Sequence, residues 1–214
     1  MSADLKIKVC GILDQAYELD GLGVDYIGHI IWEGSSRYLT EETAQLFKEQ
    51  PLNAKRVGVF VDQTINEIQS RCEKYALDVV QLHGAETPDF CATLRSRFDG
   101  AVWKAFAIDE NFDFESTQLF DSVIDCCVFD TRGKLPGGNG TTFNWSLLEA
   151  YKGSTDYLLS GGIGPESITD IKAFIQTSYS KKCVGIDLNS KFEIRPGEKD
   201  LVKLANFITQ IKAL

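Results

Sequence analysis

The strongest constraint on the fold of this chain is a regular alternation of two kinds of segment. Eight short runs are rich in β-branched and other apolar residues, and they cover residues 7–10, 26–31, 56–61, 79–82, 102–106, 123–129, 157–160 and 184–188. Between them lie longer stretches with apolar residues three and four positions apart, the clearest over residues 41–50, 65–75, 88–98, 166–177 and 201–214. Strands that alternate with helices predict a parallel sheet covered by helices.

The number of strands favours a closed barrel over an open sheet. Open nucleotide-binding sheets more often have about five to seven strands and a glycine-rich turn after the first strand, whereas Gly11-Ile12-Leu13-Asp14 follows here. Eight strand–helix units in 214 residues fit one barrel. We therefore predict an α/β fold with a single (β/α)8 TIM barrel domain over residues 1–214.

Helix start signals support two of the predicted helices. Thr64 stands three residues before Glu67, which is the spacing of a capping box, and Thr87 precedes Pro88, a residue favoured in the first helical turn. These signals place two helix starts at residues 65 and 88.

Charge and cysteine content exclude several classes of function. The chain has 31 Asp and Glu against 22 Lys and Arg, a net charge of −9, so we expect no nucleic-acid partner. Because no apolar run approaches the roughly 18 residues of a membrane span, and no signal-peptide pattern opens the chain, we expect no membrane partner. The six cysteines contain no CxxC pair and fit a reducing cytoplasm, and two histidines make a His-rich metal site improbable.

Side chains alternate along a strand, and this parity predicts which polar groups face the barrel interior. If Ile7 and Val9 pack against helices, Lys8 faces inward. The same parity makes the last inward position polar on four strands, and these residues are Cys10, His83, Asp130 and Asp187. Because catalytic groups of such barrels lie at the carboxyl ends of the strands, the four predict one polar mouth.

Cys10 and Asp130 are the candidates for chemistry. They lie on the first and sixth strands, on the order of 10 Å apart, which leaves room for a sugar-sized substrate. Lys8 could increase the thiolate fraction of Cys10, or it could simply pair with Asp187. The alternatives are an inert buried thiol for Cys10, a structural carboxylate for Asp130 and a structural role for His83.

The loops after the last two predicted strands suggest a phosphate site. Ser160-Gly161-Gly162-Ile163-Gly164 follows the seventh strand and Asp187-Leu188-Asn189-Ser190 follows the eighth, where barrels commonly bind phosphate through backbone N–H groups. Arg37 offers a planar fork for a carboxylate, unless it is only a solvated loop residue. The glycine-rich residues 137–142 predict a mobile loop that covers the mouth.

A set of motifs runs in order from the first strand to the eighth. They are Lys8-Val9-Cys10-Gly11-Ile12, Gly34-Ser35-Ser36-Arg37-Tyr38, Val57-Gly58-Val59-Phe60-Val61, Gln81-Leu82-His83-Gly84, Phe129-Asp130-Thr131, Gly137-Gly138-Asn139-Gly140-Thr141-Thr142-Phe143-Asn144-Trp145, Ser160-Gly161-Gly162-Ile163 and Gly185-Ile186-Asp187. Together they resemble the phosphoribosylanthranilate isomerases of tryptophan biosynthesis, and the resemblance covers nearly the whole chain.

The resemblance implies a barrel enzyme that converts N-(5-phosphoribosyl)anthranilate to 1-(2-carboxyphenylamino)-1-deoxyribulose 5-phosphate by an Amadori rearrangement, without metal or organic cofactor. It implies that Cys10 is the general base, Asp130 the general acid and Arg37 the ligand of the anthranilate carboxylate. The phosphate ligands it implies are the backbone amides of Gly161, Gly162, Asn189 and Ser190. Lys8, His83 and Asp187 complete the expected substrate site, and the chain is expected to be a monomer or a homodimer.

Two other classes of function remain as alternatives. One is a different phosphosugar enzyme, such as a metal-dependent epimerase, which needs a His/Asp metal set that this chain lacks in sequence, or the histidine-pathway isomerase, which has aspartate where Cys10 stands. The other is a non-catalytic phosphosugar-binding barrel, against which the presence of both Cys10 and Asp130 argues.

Overall fold

A closed barrel of eight parallel strands forms the centre of the computed structural model, which describes residues 5–43, 51–131 and 142–214. In chain order the strands are β1 Lys6–Cys10, β2 Tyr26–Ile30, β3 Lys55–Phe60, β4 Val79–Leu82, β5 Ala101–Ile108, β6 Cys126–Thr131, β7 Tyr157–Leu159 and β8 Cys183–Leu188. Each strand pairs with the next, and β1 closes the ring on β8. The prediction of an eight-stranded barrel is confirmed.

Helices and short 3-10 turns connect the strands. Among the described residues, α-helices form at Ala16–Gly21 (α1), Ile65–Tyr75 (α2), Pro88–Arg95 (α3), Ile168–Phe174 (α4) and Leu201–Lys212 (α5). The 3-10 helices are Phe114–Phe120, Trp145–Ala150, Pro165–Ser167, Ser178–Lys182 and Ser190–Phe192. After β8 the chain also forms a small antiparallel hairpin of β9 Glu193–Arg195 and β10 Glu198–Lys199.

The predicted helix caps form as expected. The side chain of Thr64 accepts from the backbone N–H of Glu67, and the carboxylate of Glu67 accepts from the backbone N–H of Thr64 at 2.8 Å. Thr87 caps α3 in the same way through the N–H of Phe90. Both signals therefore place a helix start at the right residue.

Some predicted boundaries differ from the structure. The sixth strand begins at Cys126 rather than at residue 123, because the N–H groups of Val123 and Ile124 bond back to the carbonyl of Phe120 in a turn. The predicted helix 166–177 is a 3-10 turn followed by the shorter α4. Most of the predicted helix 41–50 and of the predicted covering loop 137–142 lies outside the described residues.

Two apolar clusters account for the core. The larger lies between the barrel and its outer layer and includes Ile7 and Val9. The smaller fills the barrel interior, and its buried members are Tyr26, Val57, Val79, Trp103, Ala105, Cys126, Val128 and Leu158. Ile7 and Val9 therefore face outward and Lys8, which is fully buried, faces inward, so the predicted parity of β1 is confirmed.

Within the described residues, no helix combines the length and the apolar character that crossing a membrane requires.

Candidate active site

A cleft opens at the carboxyl ends of the barrel strands. Nine of the ten predicted site residues line it, and they are Cys10, Arg37, His83, Asp130, Gly161, Gly162, Asp187, Asn189 and Ser190. The tenth, Lys8, is fully buried and reaches the cleft through its contact with Asp187.

Lys8 and Asp187 form a buried ion pair below the cleft. They are opposite each other in the register of β1 and β8, and both side chains face inward, so Lys8 Nζ lies 2.8 Å from Asp187 Oδ2. Burial opposes the charge on Lys8, but Asp187 and the nearby Cys10 raise its pKa overall. Lys8 therefore pairs with Asp187, and it also acts on Cys10, whose pKa it lowers.

Cys10 lies at the end of β1 with its sulfur facing the neighbouring strand. Gly28 stands opposite it in the register, and a Cβ at Gly28 would lie 2.8 Å from Cys10 Sγ, so only glycine leaves room for the thiol. Burial raises the pKa of Cys10, while Lys8 and Lys199 lower it and Asp187 raises it. Because the net shift is upward, burial outweighs Lys8, and the thiol form is favoured near neutral pH.

Asp130 is held at the end of β6 by its neighbours. Its Oδ1 accepts from the N–H of Thr131 at 2.9 Å, and its Oδ2 lies 3.4 Å from His83 Nε2. On the other side of that ring, Gln81 Nε2 donates to His83 Nδ1 at 3.2 Å. Because the amide N–H occupies Nδ1, the neutral imidazole carries its proton on Nε2, facing Asp130.

Two buried oxygens of the cleft wall have no hydrogen-bond partner among the described residues, namely Gln81 Oε1 and Asp187 Oδ1. Buried acceptors are rarely left without a donor. These two positions therefore favour a ligand that presents O–H or N–H groups.

Residues that follow β7 and β8 line part of the cleft. Gly161 and Gly162 both have positive φ, +85° and +66°, a backbone conformation that favours glycine. Asn189 and Ser190 begin the 3-10 turn that follows β8. The side-chain Oδ1 of Asn189 accepts from Lys199 Nζ at 2.8 Å, so this amide is already engaged.

Arg37 is anchored by a residue that sequence reasoning missed. Its Nε and Nη2 donate to Oε1 and Oε2 of Glu193 at 2.8 and 2.6 Å. The guanidinium has five N–H groups, so the bidentate pair leaves others for a ligand. Glu193 also accepts from Lys199 Nζ at 2.8 Å, and both Glu193 and Lys199 are buried behind the cleft.

The wall near Arg37 is apolar, in contrast to the β7 and β8 side. Residues at the ends of β2 and β3 form it, and they are Ile30, Trp32, Val59 and Val61. The cleft therefore has an apolar side next to the Arg37 guanidinium and a second side formed by the loops after β7 and β8.

The described residues, 5–43, 51–131 and 142–214, contain no group of three or more His, Cys, Asp or Glu side chains that could hold a metal ion.

Comparison with known proteins identifies the family. A family profile described as PRAI, N-(5′-phosphoribosyl)anthranilate (PRA) isomerase, matches residues 7–210. The chain belongs to this family. The N-(5′-phosphoribosyl)anthranilate isomerase of Parabacteroides distasonis is 44% identical over 211 residues, which cover 96% of this chain and 92% of the relative. That of Phocaeicola vulgatus is 36% identical over 96% of this chain and 97% of the relative.

Solved structures agree with the family assignment. Phosphoribosylanthranilate isomerase from Thermus thermophilus superposes with a TM-score of 0.82 at 27% identity, over 98% of this chain and 99% of its own. A second structure, with a TM-score of 0.79 and 27% identity, covers 98% of this chain and 100% of its own. It is a phosphoribosylanthranilate isomerase in complex with reduced 1-(o-carboxyphenylamino)-1-deoxyribulose 5-phosphate.

The predicted family, the predicted barrel and the predicted isomerase activity of tryptophan biosynthesis are therefore confirmed. What sequence reasoning missed is the support around the phosphoribosylanthranilate isomerase cleft. Glu193 and Lys199 lie on the hairpin after β8, for which no strand pattern was recognised. Their charge gave no signal, because Lys191, Arg195, Glu198 and Asp200 in the same stretch are charged as well.

Proposed function

We propose that Cys10 and Asp130 are the general base and general acid with which this chain isomerises N-(5-phosphoribosyl)anthranilate to 1-(2-carboxyphenylamino)-1-deoxyribulose 5-phosphate. The observation that carries this proposal is that both side chains line one cleft, although they come from β1 and from β6. An acid and a base on separate strands can reach one sugar from two directions.

The reaction needs one proton delivered and one removed. Asp130 donates a proton to the ring oxygen of the ribose, the bond between that oxygen and the anomeric carbon breaks, and the nitrogen lone pair forms an iminium. The carboxylate of Asp130 then balances the cation. The thiolate of Cys10 removes the proton from the neighbouring carbon, the electron pair neutralises the iminium, and the resulting enolamine tautomerises to the ketone.

The two sides of the cleft suggest how the substrate lies. The aryl ring fits the apolar wall that includes Trp32, and the N–H groups of Arg37 not used by Glu193 bind the carboxylate. The phosphate lies at the opposite rim, on the backbone amides of Gly161, Gly162, Asn189 and Ser190.

The remaining predicted residues act on the middle of the substrate. Asp187 Oδ1 and Gln81 Oε1 accept hydroxyl protons of the sugar, which satisfies two acceptors that lack a partner in the described protein. His83 acts on Asp130, 3.4 Å away, and Lys8 acts by fixing Asp187.

No cofactor enters this scheme, because it consists of proton transfers and the movement of electron pairs within the substrate. We also propose that the chain works in the cytoplasm, where its six cysteines remain free thiols. For the assembly we propose a monomer or a homodimer; one related structure is of monomers generated from the dimeric phosphoribosylanthranilate isomerase of Thermotoga maritima.

The direct test is consumption of phosphoribosylanthranilate, followed by its fluorescence, as a function of pH. Because burial raises the pKa of Cys10, we expect kcat/KM to rise with pH as the thiol ionises. Cys10→Ser should lose that rise along with most of the activity. Folded protein that binds the product tightly but never consumes the substrate would instead support the non-catalytic barrel.

A further inference from the structure

The charges around Cys10 do not balance evenly. The groups that act on its thiol are Lys8 from β1, Asp187 from β8, Lys199 from β10 and Arg37 from the loop after β2. Lys8 and Asp187 neutralise each other at 2.8 Å. Arg37 and Lys199 instead share a single carboxylate, that of Glu193. One positive charge is therefore left over on the Arg37–Glu193–Lys199 side.

The hairpin after β8 fixes the position of this excess charge. Lys199 stands opposite Glu193 in the β9–β10 register, and its side chain is fully buried. Its backbone is held on both sides by Gln15, whose amide accepts from the N–H of Lys199 at 2.5 Å and donates to its carbonyl at 3.0 Å. A lysine held in this way has few alternative conformations.

From this position Lys199 contacts two residues of the cleft surroundings, Glu193 and Asn189. Its ammonium donates to Glu193, which holds Arg37, and to Asn189, which begins the turn at the phosphate rim. The same Asn189 Oδ1 lies 2.8 Å from where a Cβ on Gly11 would stand, so it packs against the residue that follows Cys10.

We propose that Lys199 is a positioning residue for the isomerase reaction, which orients Arg37 and Asn189 and supplies the unbalanced positive charge beside Cys10. This inference rests on the proposed role of Cys10 as the base. Lys199 adds to the effect of Lys8, which lowers the pKa of Cys10 more strongly but is opposed by Asp187.

The acid–base balance of the cluster agrees with this assignment. Burial raises the pKa of Cys10, and Lys199 is one of two lysines that lower it. The pKa of Lys199 is lowered overall, because burial outweighs the raising effects of Glu193 and Cys10. Burial alone would raise the pKa of Glu193, but its bonds to Arg37 and Lys199 lower it overall, so the carboxylate stays ionised.

The test measures the charge state of Cys10 without relying on activity. Alkylation of the Cys10 peptide by iodoacetamide is followed by mass spectrometry across pH, because only the thiolate reacts. The variants are Lys199→Met, Lys199→Arg and Glu193→Gln. Lys203→Met is the matched control, since this lysine is partly exposed on α5 and outside the cleft. The pH profile of kcat/KM is measured on the same proteins.

We expect Lys199→Met to move the midpoint of alkylation and the rising part of the kcat/KM profile upward by about one pH unit. Glu193→Gln removes a negative charge and should move both downward. Lys199→Arg should restore the midpoint, and Lys203→Met should leave it unchanged.

A midpoint that stays in place in folded Lys199→Met would overturn the proposal. So would a shift in the same direction for Lys199→Met and Glu193→Gln, since that pattern indicates a general loss of packing. Should Lys199→Met fail to fold, the opposite shift in Glu193→Gln still decides the question. If wild-type protein lacks isomerase activity, the proposed function fails, while the alkylation series still shows whether Lys199 acts on Cys10.

Discussion

The two ends of the barrel interior differ sharply although the same strands form both. Toward the amino ends the inward side chains of β2 to β7 form an apolar cluster, as in the edge-on contact of Tyr26 and Trp103, whose ring centres are 4.8 Å apart. At the carboxyl ends of β1, β4, β6 and β8 the inward side chains are polar and line a cleft. On β6 a single step of two residues separates buried Val128 from Asp130. On β6, one inward residue therefore packs in the core and the next inward residue lines the cleft.

Removing a reactive group from the cleft should have the largest effect. We expect Asp130→Asn and Cys10→Ala each to lower kcat by about 10²–10⁴, because each deletes the proposed general acid or base, with little change in thermal unfolding. Asp156→Asn, at an exposed position just before β7, is the control. Steady-state kinetics and thermal melts check both readouts. Turnover within tenfold of wild type would remove the residue from the proposed mechanism.

Removing a packed side chain from the amino end of the barrel interior should lower stability and leave activity nearly unchanged. Trp103→Ala leaves a cavity in the barrel interior and should lower the free energy of unfolding by about 3–5 kcal/mol. The kcat of the remaining folded protein should stay within about threefold. Tyr17→Ala, at a residue that is 66% exposed, should change stability by no more than about 0.5 kcal/mol. Urea unfolding measures the difference, and a large loss of kcat in folded Trp103→Ala would show that the two ends are coupled.

Sequence reasoning predicts those features that follow from local periodicity. Side chains alternate along a strand, so Val9 faces the helices and Cys10 faces the interior. Because the cleft lies at the carboxyl ends of the strands, the pattern alone predicts that Cys10 and Asp130 line it. The capping box at Thr64 is also local and is correctly predicted. At Val123 the apolar pattern wrongly predicts the start of a strand, because the backbone forms a turn there.

The supports of the site depend on pairings between distant segments, which no local pattern encodes. Only the register of β1 against β8 shows that Lys8 meets Asp187. Arg37 and Glu193 are 156 residues apart, and their bidentate contact requires the barrel to close first. For this reason the sequence predicts that Cys10 and Asp130 face the cleft, whereas it does not predict the contacts of Glu193 and Lys199.

The outer side of β2 offers a pH-dependent test of stability that leaves the cleft intact. His29 is buried there, its Nδ1 bonds to the carbonyl of Ile12, and burial lowers its pKa to about 4 from 6.5. Below pH 6.5 the unfolded chain takes up a proton that the folded chain refuses, so stability present above that pH is lost as pH falls toward 4.

That shift corresponds to about 3 kcal/mol at the acid limit, since one unit is worth about 1.4 kcal/mol. Urea unfolding at pH 7 and at pH 4.5 should show the loss in wild type and a smaller one in His29→Gln, whose amide can still donate to Ile12. Equal pH dependence in the two proteins would mean that His29 takes up its proton as readily in the folded chain as in the unfolded chain.

The smallest effect is expected at a residue that lies at the cleft end of the barrel without belonging to the cleft. Thr64 begins α2 three residues after Val61, which lines the cleft. Thr64→Ala removes the cap and should lower the free energy of unfolding by about 1 kcal/mol, whereas Thr64→Ser should restore most of it. Neither variant should change kcat or KM by more than about twofold. The start of α2 is connected to the cleft by the residues that follow β3, including Val61. A larger kinetic effect would therefore mean that the helix start is coupled to the cleft.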